Sequence, residues 1–462
     1  MAIDTLLIAN RGEIAVRIIR AAQELGMRTV QVYSQADKES LAVHLADESV
    51  EIGPPAAAKS YLNFDAILNA ARKTGAQAIH PGYGFLAENA DFADAVETAG
   101  IAFVGPTGQS IRLLGNKVAA REVARKAGVP TVPGSAGPIN SLDETREILK
   151  ATGFPVLIKA AAGGGGRGIR IAQSMDELER LMPQARAEAQ AAFGDGSLYL
   201  EKLIEQARHI EVQVLGDGQR IIHCFERECS LQRRRQKVWE EAPSMALDEK
   251  LRQSLCKAAV ALAEAVRYRG AGTLEFLFDP RSRSFYFLEM NTRIQVEHPV
   301  TEFVTSIDLV REMIRIARGE PLRFRQDDVK MRGHAIEVRI NAEDPAKNFA
   351  PFPGTVSNLR VPGGHGVRFD SMLYAGYTVP PFYDSLLGKL IVWDEDRDSA
   401  LRRLKRALGE LEVGGLKTTK PLHQALAIDA DVGRGDFDTG WLERWLPQYQ
   451  QALAERSIGE GA

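Results

Sequence analysis

The chain has 462 residues, more than one hydrophobic core usually holds, so two or three domains are expected. Its 58 Lys and Arg against 61 Asp and Glu give a formal net charge of −3, which offers no bulk attraction to nucleic acid or to an anionic membrane. No apolar run approaches the roughly 18 residues of a membrane span, and a cytoplasmic protein is predicted. Cys224, Cys229 and Cys256 form no CxxC pair, which predicts reduced thiols and argues against disulfides or a zinc site.

Apolar runs alternate with helical patterns between residues 5 and about 105. This alternation predicts βαβ units around a parallel sheet. Its first turn, ANRGEIAVR, lacks the GxGxxG sequence of a dinucleotide site. A later strand, AIH, runs into Pro81-Gly82-Tyr83-Gly84, which is a tight turn at the sheet edge where open α/β sheets bind ligands. A purely structural turn is the alternative.

A linker rich in Pro and Gly, from Pro130 to Pro138, predicts that a second unit begins near residue 131. This unit contains FPVLIKAAAGGGGRGIRIA, in which two strand patterns flank four glycines. We predict a glycine-tipped hairpin, whose backbone N–H groups and Lys159 approach phosphate oxygens. It is not a Walker A loop, because the lysine precedes the glycines. A flexible linker is the alternative.

The segment TLEFLFDPRSRSFYFLEM predicts two strands joined by a turn at Asp279 and Pro280. If the turn closes symmetrically about Ser282, Glu275 lies opposite Glu289. Two facing carboxylates repel each other unless a cation compensates, and carboxylates with an amide are suitable ligands for magnesium. Edge-exposed glutamates are the alternative, but the aromatic residues of both strands favour the metal.

The stretch from Phe285 to Glu302, FYFLEMNTRIQVEHPVTE, alternates acidic, amide and basic residues. In an extended chain alternate side chains share a face, so one face would be polar and the other apolar. The polar face would carry Glu289, Asn291, Arg293, Gln295 and Glu297. The opposite face would carry Met290, Ile294 and Val296.

Other polar positions are weaker signals. Lys117 lies on an amphipathic helix, where a solvated lysine is the ordinary interpretation. Glu201 and Lys202 lie at a strand edge that can offer backbone groups to an adenine, with His209 nearby. The basic run QRRRQKVWEE and Arg339 in HAIEVRINAED fit either an anion pocket or ordinary solvated and paired charges.

Eight segments, in this order, resemble the biotin carboxylases of the ATP-grasp superfamily: IANRGEIAVRIIRAA, HPGYGFLAEN, KAAAGGGGRGIR, EKLIEQARHIEVQVLGDG, QRRRQKVWEEAP, EMNTRIQVEHPVTE, GHAIEVRINAEDP and GYTVPPFYDSLLGKL. The resemblance extends over nearly the whole chain. It implies a mixed α/β (α+β) ATP-grasp fold in three domains and a tail. These would be an N-terminal parallel-sheet domain at 1–130, a lid with the glycine flap at 131–204, a C-terminal antiparallel-sheet domain at 205–446, and the tail at 447–462.

The resemblance also implies a ligase that uses ATP with Mg²⁺ or Mn²⁺. In such enzymes ATP phosphorylates bicarbonate, and the resulting carboxyphosphate delivers carbon dioxide to carrier-bound biotin. This would be the first half-reaction of an acyl-CoA carboxylase, with acetyl-CoA as the expected acceptor and fatty acid biosynthesis as the expected context. Two alternatives are another ATP-grasp carboxylate-amine ligase and a catalytically idle regulatory subunit.

Matching positions carry over the family's roles by resemblance. The residues that would bind the nucleotide are Lys117, Lys159, Gly163, Gly164, Gly165, Gly166, Glu201, Lys202, His209 and Gln232. Those that would bind Mg²⁺ are Glu275, Glu289 and Asn291. Those around bicarbonate would be Lys237, Arg293, Gln295 and Val296. Glu297 would be the general base, Arg339 would stabilise the anionic oxygen of enolised biotin, and Tyr83 would neighbour the biotin.

Two positions depart from the family pattern. Arg235 stands where a histidine is usual, which predicts altered nucleotide affinity. His365 replaces an aromatic residue often used in the two-fold contact, although a homodimer is still expected. The chain ends without an AMKM-type biotinyl-lysine segment. A separate biotin carboxyl carrier protein and carboxyltransferase are therefore the expected partners, with neither nucleic acid nor membrane among them.

Overall fold

A parallel five-stranded sheet forms the N-terminal part of the fold, as the alternating pattern predicts. The computed structural model describes residues 3–135, 137–139, 141–160 and 169–459. The strands of this sheet are β1 (Thr5–Ile8), β2 (Arg28–Ser34), β3 (Glu48–Gly53), β4 (Ala78–His80) and β5 (Ala102–Phe103). The accompanying helices are α1 (Gly12–Glu24), α2 (Leu41–Leu45), α3 (Phe64–Thr74), α4 (Ala90–Thr98), α5 (Gly108–Gly115) and α6 (Lys117–Lys126). The order β3-β2-β1-β4-β5 reverses between β1 and β4, where open α/β sheets bind ligands.

The turn after β4 holds Tyr83 at this switch point. Gly82 has a φ of +63°, a conformation that favours glycine, and a Cβ added there would lie 2.8 Å from Nδ2 of Asn10. The same Nδ2 donates to the carbonyl oxygens of Pro81 at 2.6 Å and Tyr83 at 2.7 Å. The asparagine that follows β1 thereby fixes the loop that follows β4.

A small antiparallel sheet and two helices come next. They are α7 (Leu142–Thr152), β6 (Val156–Ala160), β7 (Ile169–Ala172), α8 (Met175–Phe193) and β8 (Leu198–Lys202). Strand β6 pairs antiparallel with both β7 and β8, and Lys159 lies opposite Ile169. The pairing of β6 with β7 confirms the predicted hairpin. Its glycine tip, 163–166, lies outside the described residues.

An eight-stranded antiparallel sheet carries most of the C-terminal half, in the order β13-β12-β9-β10-β11-β14-β21-β19. The strands in chain order are β9 (Arg208–Asp217), β10 (Ile221–Arg233), β11 (Gln236–Ala242), β12 (Arg269–Asp279), β13 (Ser284–Asn291), β14 (His334–Asn341), β15 (Glu343–Asp344), β16 (Ala350–Pro351), β17 (Gly354–Thr355), β18 (Asn358–Arg360), β19 (Val367–Ser371), β20 (Thr378–Val379), β21 (Leu386–Asp394) and β22 (Glu412–Gly414). The helices are α9 (Glu249–Ala265), α10 (His298–Thr305), α11 (Leu309–Ala317), α12 (Arg397–Glu410), α13 (Lys420–Ile428), α14 (Ala430–Arg434) and α15 (Trp441–Gly459).

One apolar core joins the parallel sheet to the eight-stranded sheet. The same buried cluster contains Ile14 of α1, Leu215 of β9, Met313 of α11, and Ile294 from the turn after β13. Close packing in this shared core limits independent movement of the two sheets. Among the described residues, no helix combines the length and the apolar character that crossing a bilayer requires.

The hairpin β12–β13 has the register predicted from its turn. Glu275 pairs with Glu289, and a bulge shifts the register between Glu275 and Phe276. The prediction of one extended chain from Phe285 to Glu302 is wrong after Asn291, where β13 ends. The chain turns there because Ile294 packs into the shared core and α10 starts at His298, with a proline in its first turn.

Candidate active site

A cavity of about 1590 Å³ opens between the parallel sheet, the small sheet and the eight-stranded sheet. Nearly all the predicted site residues within the described part of the chain line it. These are Tyr83, Lys117, Lys159, Glu201, His209, Gln232, Lys237, Glu275, Glu289, Asn291, Arg293, Gln295, Val296, Glu297 and Arg339. Lys202 does not line it, and 163–166 fall outside the described residues. All five members of the predicted polar face meet in this cavity, although a turn, and not a strand, presents three of them.

Lys237 is the centre of the charge arrangement. Its Nζ donates to Glu211 Oε2 at 2.5 Å, Glu297 Oε1 at 2.7 Å and Glu275 Oε1 at 3.0 Å. Burial by itself would lower the pKa of Lys237, but the three carboxylates raise it well above its usual range. The lysine therefore remains an ammonium ion inside the cavity. The basic run suggested an anion pocket, whereas here Lys237 is surrounded by acids.

Glu297 lies between two cations. Besides its contact with Lys237, Oε2 accepts a hydrogen bond from Arg339 Nη2 at 2.9 Å, and the side chain is only 2% exposed. Burial raises the pKa of Glu297, but Lys237, followed by Arg339, more than offsets this effect, and the pKa lies below its ordinary value. Glu297 is thus an ionised carboxylate in a cavity lined by cations, where it can accept a proton from a bound acid.

The carboxylate–amide set predicted for a metal is assembled around Glu275. Asn291 Nδ2 and Gln295 Nε2 each donate to Glu275 Oε1 at 2.9 Å, and Glu289 faces Glu275 across the ladder. Glu289 is the accessible member and contacts Lys117 Nζ at 3.3 Å. Two carboxylates and an amide oxygen on neighbouring strands are a hard-oxygen donor set that fits Mg²⁺.

A second group of potential metal ligands, His209, Glu211 and Glu275, lies deeper, with ligand atoms within 4.8 Å of one another. His209 Nε2 is 3.3 Å from Glu275 Oε2. Burial lowers the pKa of His209, but Glu275 in particular raises it, to about 9. Lys237 also contacts both carboxylates of this group. Without a metal these residues form an ion-pair cluster, and Glu211 is a member that the sequence did not reveal.

The small sheet contributes Lys159 and Glu201 to the nucleotide side of the cavity. Lys159 Nζ donates to Glu201 Oε2, and Arg121 Nη1 lies 2.5 Å from Glu201 Oε1. Arg121 was not predicted, although it follows Lys117 by four residues and so shares its face of α6.

The strand edge predicted at Glu201 and Lys202 is β8, which lies at one side of the small sheet. The Lys202 amide donates to Pro133 O at 2.8 Å, and β6 pairs with the other side of β8. β8 is thus the edge strand of the small sheet, as predicted, and residues of the linker after Pro130 bond to part of that edge.

A buried chain of contacts connects the predicted biotin neighbour to the turn before α10. Tyr83 Oη donates to Glu13 Oε1, which lies 3.3 Å from Lys389 Nζ. Lys389 also donates to the carbonyl oxygen of Val296 at 2.6 Å. Glu13 lies in the first turn of α1, and only the tertiary structure reveals this link.

Three family models match successive parts of the chain. They are described as "Biotin carboxylase, N-terminal domain" for residues 2–111, "Carbamoyl-phosphate synthase L chain, ATP binding domain" for residues 116–325, and "Biotin carboxylase C-terminal domain" for residues 337–444. The three matches are collinear and together extend over most of the sequence.

Individual relatives agree with these models. The chain is 56% identical over 446 residues to a biotin carboxylase of Pseudomonas aeruginosa, covering 96% of this chain and 99% of the relative. It is 51% identical to a pyruvate carboxylase polypeptide of Methanothermobacter thermautotrophicus, covering 95% and 89%. The biotin carboxylase domain dimer of Hydrogenobacter thermophilus 2-oxoglutarate carboxylase, solved with MgADP, ADP and bicarbonate, matches with a TM-score of 0.87 and 48% identity, covering 96% and 98%. This chain belongs to the biotin carboxylase family and has its ATP-grasp fold.

Proposed function

We propose that this chain uses MgATP and bicarbonate to carboxylate biotin through carboxyphosphate. The observation that carries the proposal is the setting of Glu297, an ionised, buried carboxylate held between Lys237 and Arg339. The carboxylate–amide set of Glu275 and Asn291 adjoins it in the same cavity. A base for bicarbonate thus adjoins the candidate site for the metal-bound phosphates.

The proposed reaction begins with bicarbonate next to Glu297. Glu297 takes the proton of the bicarbonate hydroxyl, and the oxygen that loses it attacks the γ-phosphorus of ATP, so that a P–O bond forms to bicarbonate as the bond to ADP breaks. Lys237 and Arg293 reduce the repulsion between bicarbonate and the triphosphate. The carboxyphosphate then breaks into carbon dioxide and phosphate. The released phosphate takes the N–H proton of the biotin ureido group, and the deprotonated nitrogen forms a bond to the carbon dioxide.

The metal would be held by Glu275, Glu289 and Asn291, with Lys117 and Lys159 on the phosphates. When bound, Mg²⁺ neutralises charge on the phosphate oxygens and supports their orientation. In the absence of a metal, Lys237 and His209 balance the charge of Glu275. The roles of Gly163 to Gly166 and of Gln232 remain part of the proposal.

Arg339 and Tyr83 are proposed to serve the biotin half of the reaction. Arg339 would stabilise the negative oxygen of the enolised ureido group, because a guanidinium donates hydrogen bonds and always carries a charge. Tyr83 would neighbour the ring, and its hydroxyl is held by Glu13.

The assembly is proposed from the relatives. A homodimer is supported by the dimer from Hydrogenobacter thermophilus. A separate biotin carboxyl carrier protein and carboxyltransferase would complete the reaction in the cytoplasm, with acetyl-CoA as the first acceptor to test. Pyruvate and 2-oxoglutarate are the competing acceptors, since a pyruvate carboxylase and a 2-oxoglutarate carboxylase are among the relatives that are about 50% identical to this chain. Domain limits at 130, 204 and 446 are also proposed.

The test is ATP cleavage with Mg²⁺, bicarbonate and free biotin. Biotin-stimulated release of ADP together with carboxybiotin is expected. Phosphate release that requires another carboxylate and an amine would support a carboxylate-amine ligase instead. Absence of bicarbonate-dependent cleavage in the folded, MgATP-binding protein would refute the proposal and favour an idle subunit.

A further inference from the structure

A second pair of facing glutamates lies behind Arg339. Glu240 of β11 pairs with Glu337 of β14, and both side chains are fully buried. They differ in their contacts. Glu240 Oε1 accepts from Arg339 Nε at 2.7 Å and lies 2.5 Å from Nη2, whereas neither carboxylate oxygen of Glu337 has a hydrogen-bond partner among the described residues.

The contacts of Arg339 use one edge of its guanidinium. Nε and Nη2 face Glu240, and Nη2 also donates to Glu297. Nη1 has no hydrogen-bond partner within the part of the chain that the structure describes. Because the guanidinium is planar and its five N–H groups have fixed directions, holding the Nε–Nη2 edge also fixes the direction of Nη1.

The backbone of Arg339 is anchored as well. Its carbonyl oxygen accepts from Thr419 Oγ1 at 2.8 Å, and His423 Nε2 lies 2.7 Å from the same oxygen. Burial lowers the pKa of His423 to about 4, so its imidazole is neutral at physiological pH. With the backbone fixed by the start of α13, the remaining freedom of Arg339 lies in its side chain, which Glu240 restrains.

From these contacts we infer that Glu240 is a positioning residue for the biotin half of the reaction. It holds the Nε–Nη2 edge of Arg339, so that Nη1 is left to donate to the anionic oxygen of enolised biotin. The inference rests on the proposed function, since it assigns a task to the arginine of that site. Glu337, the facing carboxylate, has no such task.

Stability alone does not explain the Glu240–Arg339 pair. A buried ion pair gains little net stability, because desolvation of both charges offsets their attraction. Glu240 Oε2 is itself buried without a hydrogen-bond partner among the described residues, which adds to the cost of keeping a carboxylate there. Precise direction of a catalytic guanidinium is a benefit that can compensate for this cost.

The test uses Glu240→Gln and the matched control Glu337→Gln, each nearly equal in size to glutamate. Two reactions are measured: bicarbonate-dependent ATP cleavage without biotin, and carboxylation of biotin. Burial raises the pKa of Glu240 to about 7, so the reactions are measured at pH 8, where Glu240 is ionised. For E240Q, kcat for biotin carboxylation is expected to fall about tenfold, because a charge-assisted contact becomes a neutral one. The KM for biotin and the rate of ATP cleavage should each change less than about twofold, since the hydrogen bond from Arg339 Nη1 to the anionic oxygen of biotin strengthens only in the transition state. E337Q should leave both reactions unchanged.

Equal losses of both reactions in E240Q would show a general structural role and overturn the inference, as would no loss in either. Loss of biotin carboxylation in E337Q equal to that in E240Q would also overturn it. If E240Q does not fold, Glu240→Asp keeps the charge with a shorter reach, and the same selective fall in kcat is expected. Wild-type protein without biotin-stimulated cleavage would refute the proposed function instead, which separates the two failures.

Discussion

Replacement of Lys237 by methionine is expected to leave a cluster of buried carboxylates without its central cation. Lys237 contacts Glu211, Glu275 and Glu297 at 2.5 to 3.0 Å, and its side chain is 12% exposed. Removing one partner of a buried ion pair typically costs about 3 to 5 kcal/mol. The three losses should not add, because Glu211 still pairs with Arg227 at 2.7 Å. We therefore expect K237M to lower the free energy of unfolding by about 3 to 5 kcal/mol at pH 7.5 without metal.

The sign of the pH dependence follows from the carboxylates. In the wild type the pKa of Glu297 is depressed, so its stabilising contribution is present above the unfolded pKa and is lost as the pH falls. Without Lys237, burial dominates and the pKa values of the cluster rise. The difference in free energy of unfolding between the wild type and K237M should therefore be largest above pH 7. It should shrink as the pH falls to about 5, where the carboxylates of the variant take up protons.

The assay is equilibrium unfolding in urea from pH 5 to 8, with Lys117→Met as the control. Lys117 is exposed and its ion pair with Glu289, at 3.3 Å, is solvent-accessible, so K117M should change the free energy of unfolding by less than about 0.5 kcal/mol. A K237M deficit below about 1 kcal/mol, or one that grows as the pH falls, would refute the electrostatic reasoning.

Three further predictions concern single charged residues. Glu297→Gln should lower bicarbonate-dependent ATP cleavage by about a hundredfold or more, because the amide cannot take a proton; unchanged turnover would contradict its role as the base. Arg339→Met should reduce biotin carboxylation more than bicarbonate-dependent ATP cleavage, because Lys237 still neutralises Glu297; equal reductions in the two assays would argue against this division. Burial raises the pKa of Glu241, but Arg397 at 2.6 Å and the other partners lower it from 4.5 to about 2. Glu241→Gln should therefore cost about 3 kcal/mol at pH 7, and in urea unfolding this difference should narrow between pH 5 and 3, whereas a constant difference would exclude the linkage.

Sequence patterns predicted those features of the fold that depend on residues close together in the chain. Alternation of strands and helices predicted the parallel sheet, and the turn at Asp279 predicted that Glu275 faces Glu289, because a hairpin turn sets the register of its strands. Almost all the described residues that the resemblance to one family selected line the cavity, Lys202 being the exception. The glycine tip stays a prediction.

Only the tertiary structure decided how the charges of the site are balanced. Lys237 meets Glu297, which is sixty residues away in the chain, and Tyr83 meets Glu13 across seventy. Periodicity within one strand carries no information about such partners. Periodicity also wrongly predicted that the strand continues past Asn291. The chain turns there because Ile294 is buried in the core shared with α1, and that core exists only in the assembled fold. The sequence by itself determined most of the catalytic and ligand-binding candidates. Long-range packing added Glu211 and Arg121 and determined which charge neutralises which, since a desolvated charge takes its partner from whatever element the fold brings near.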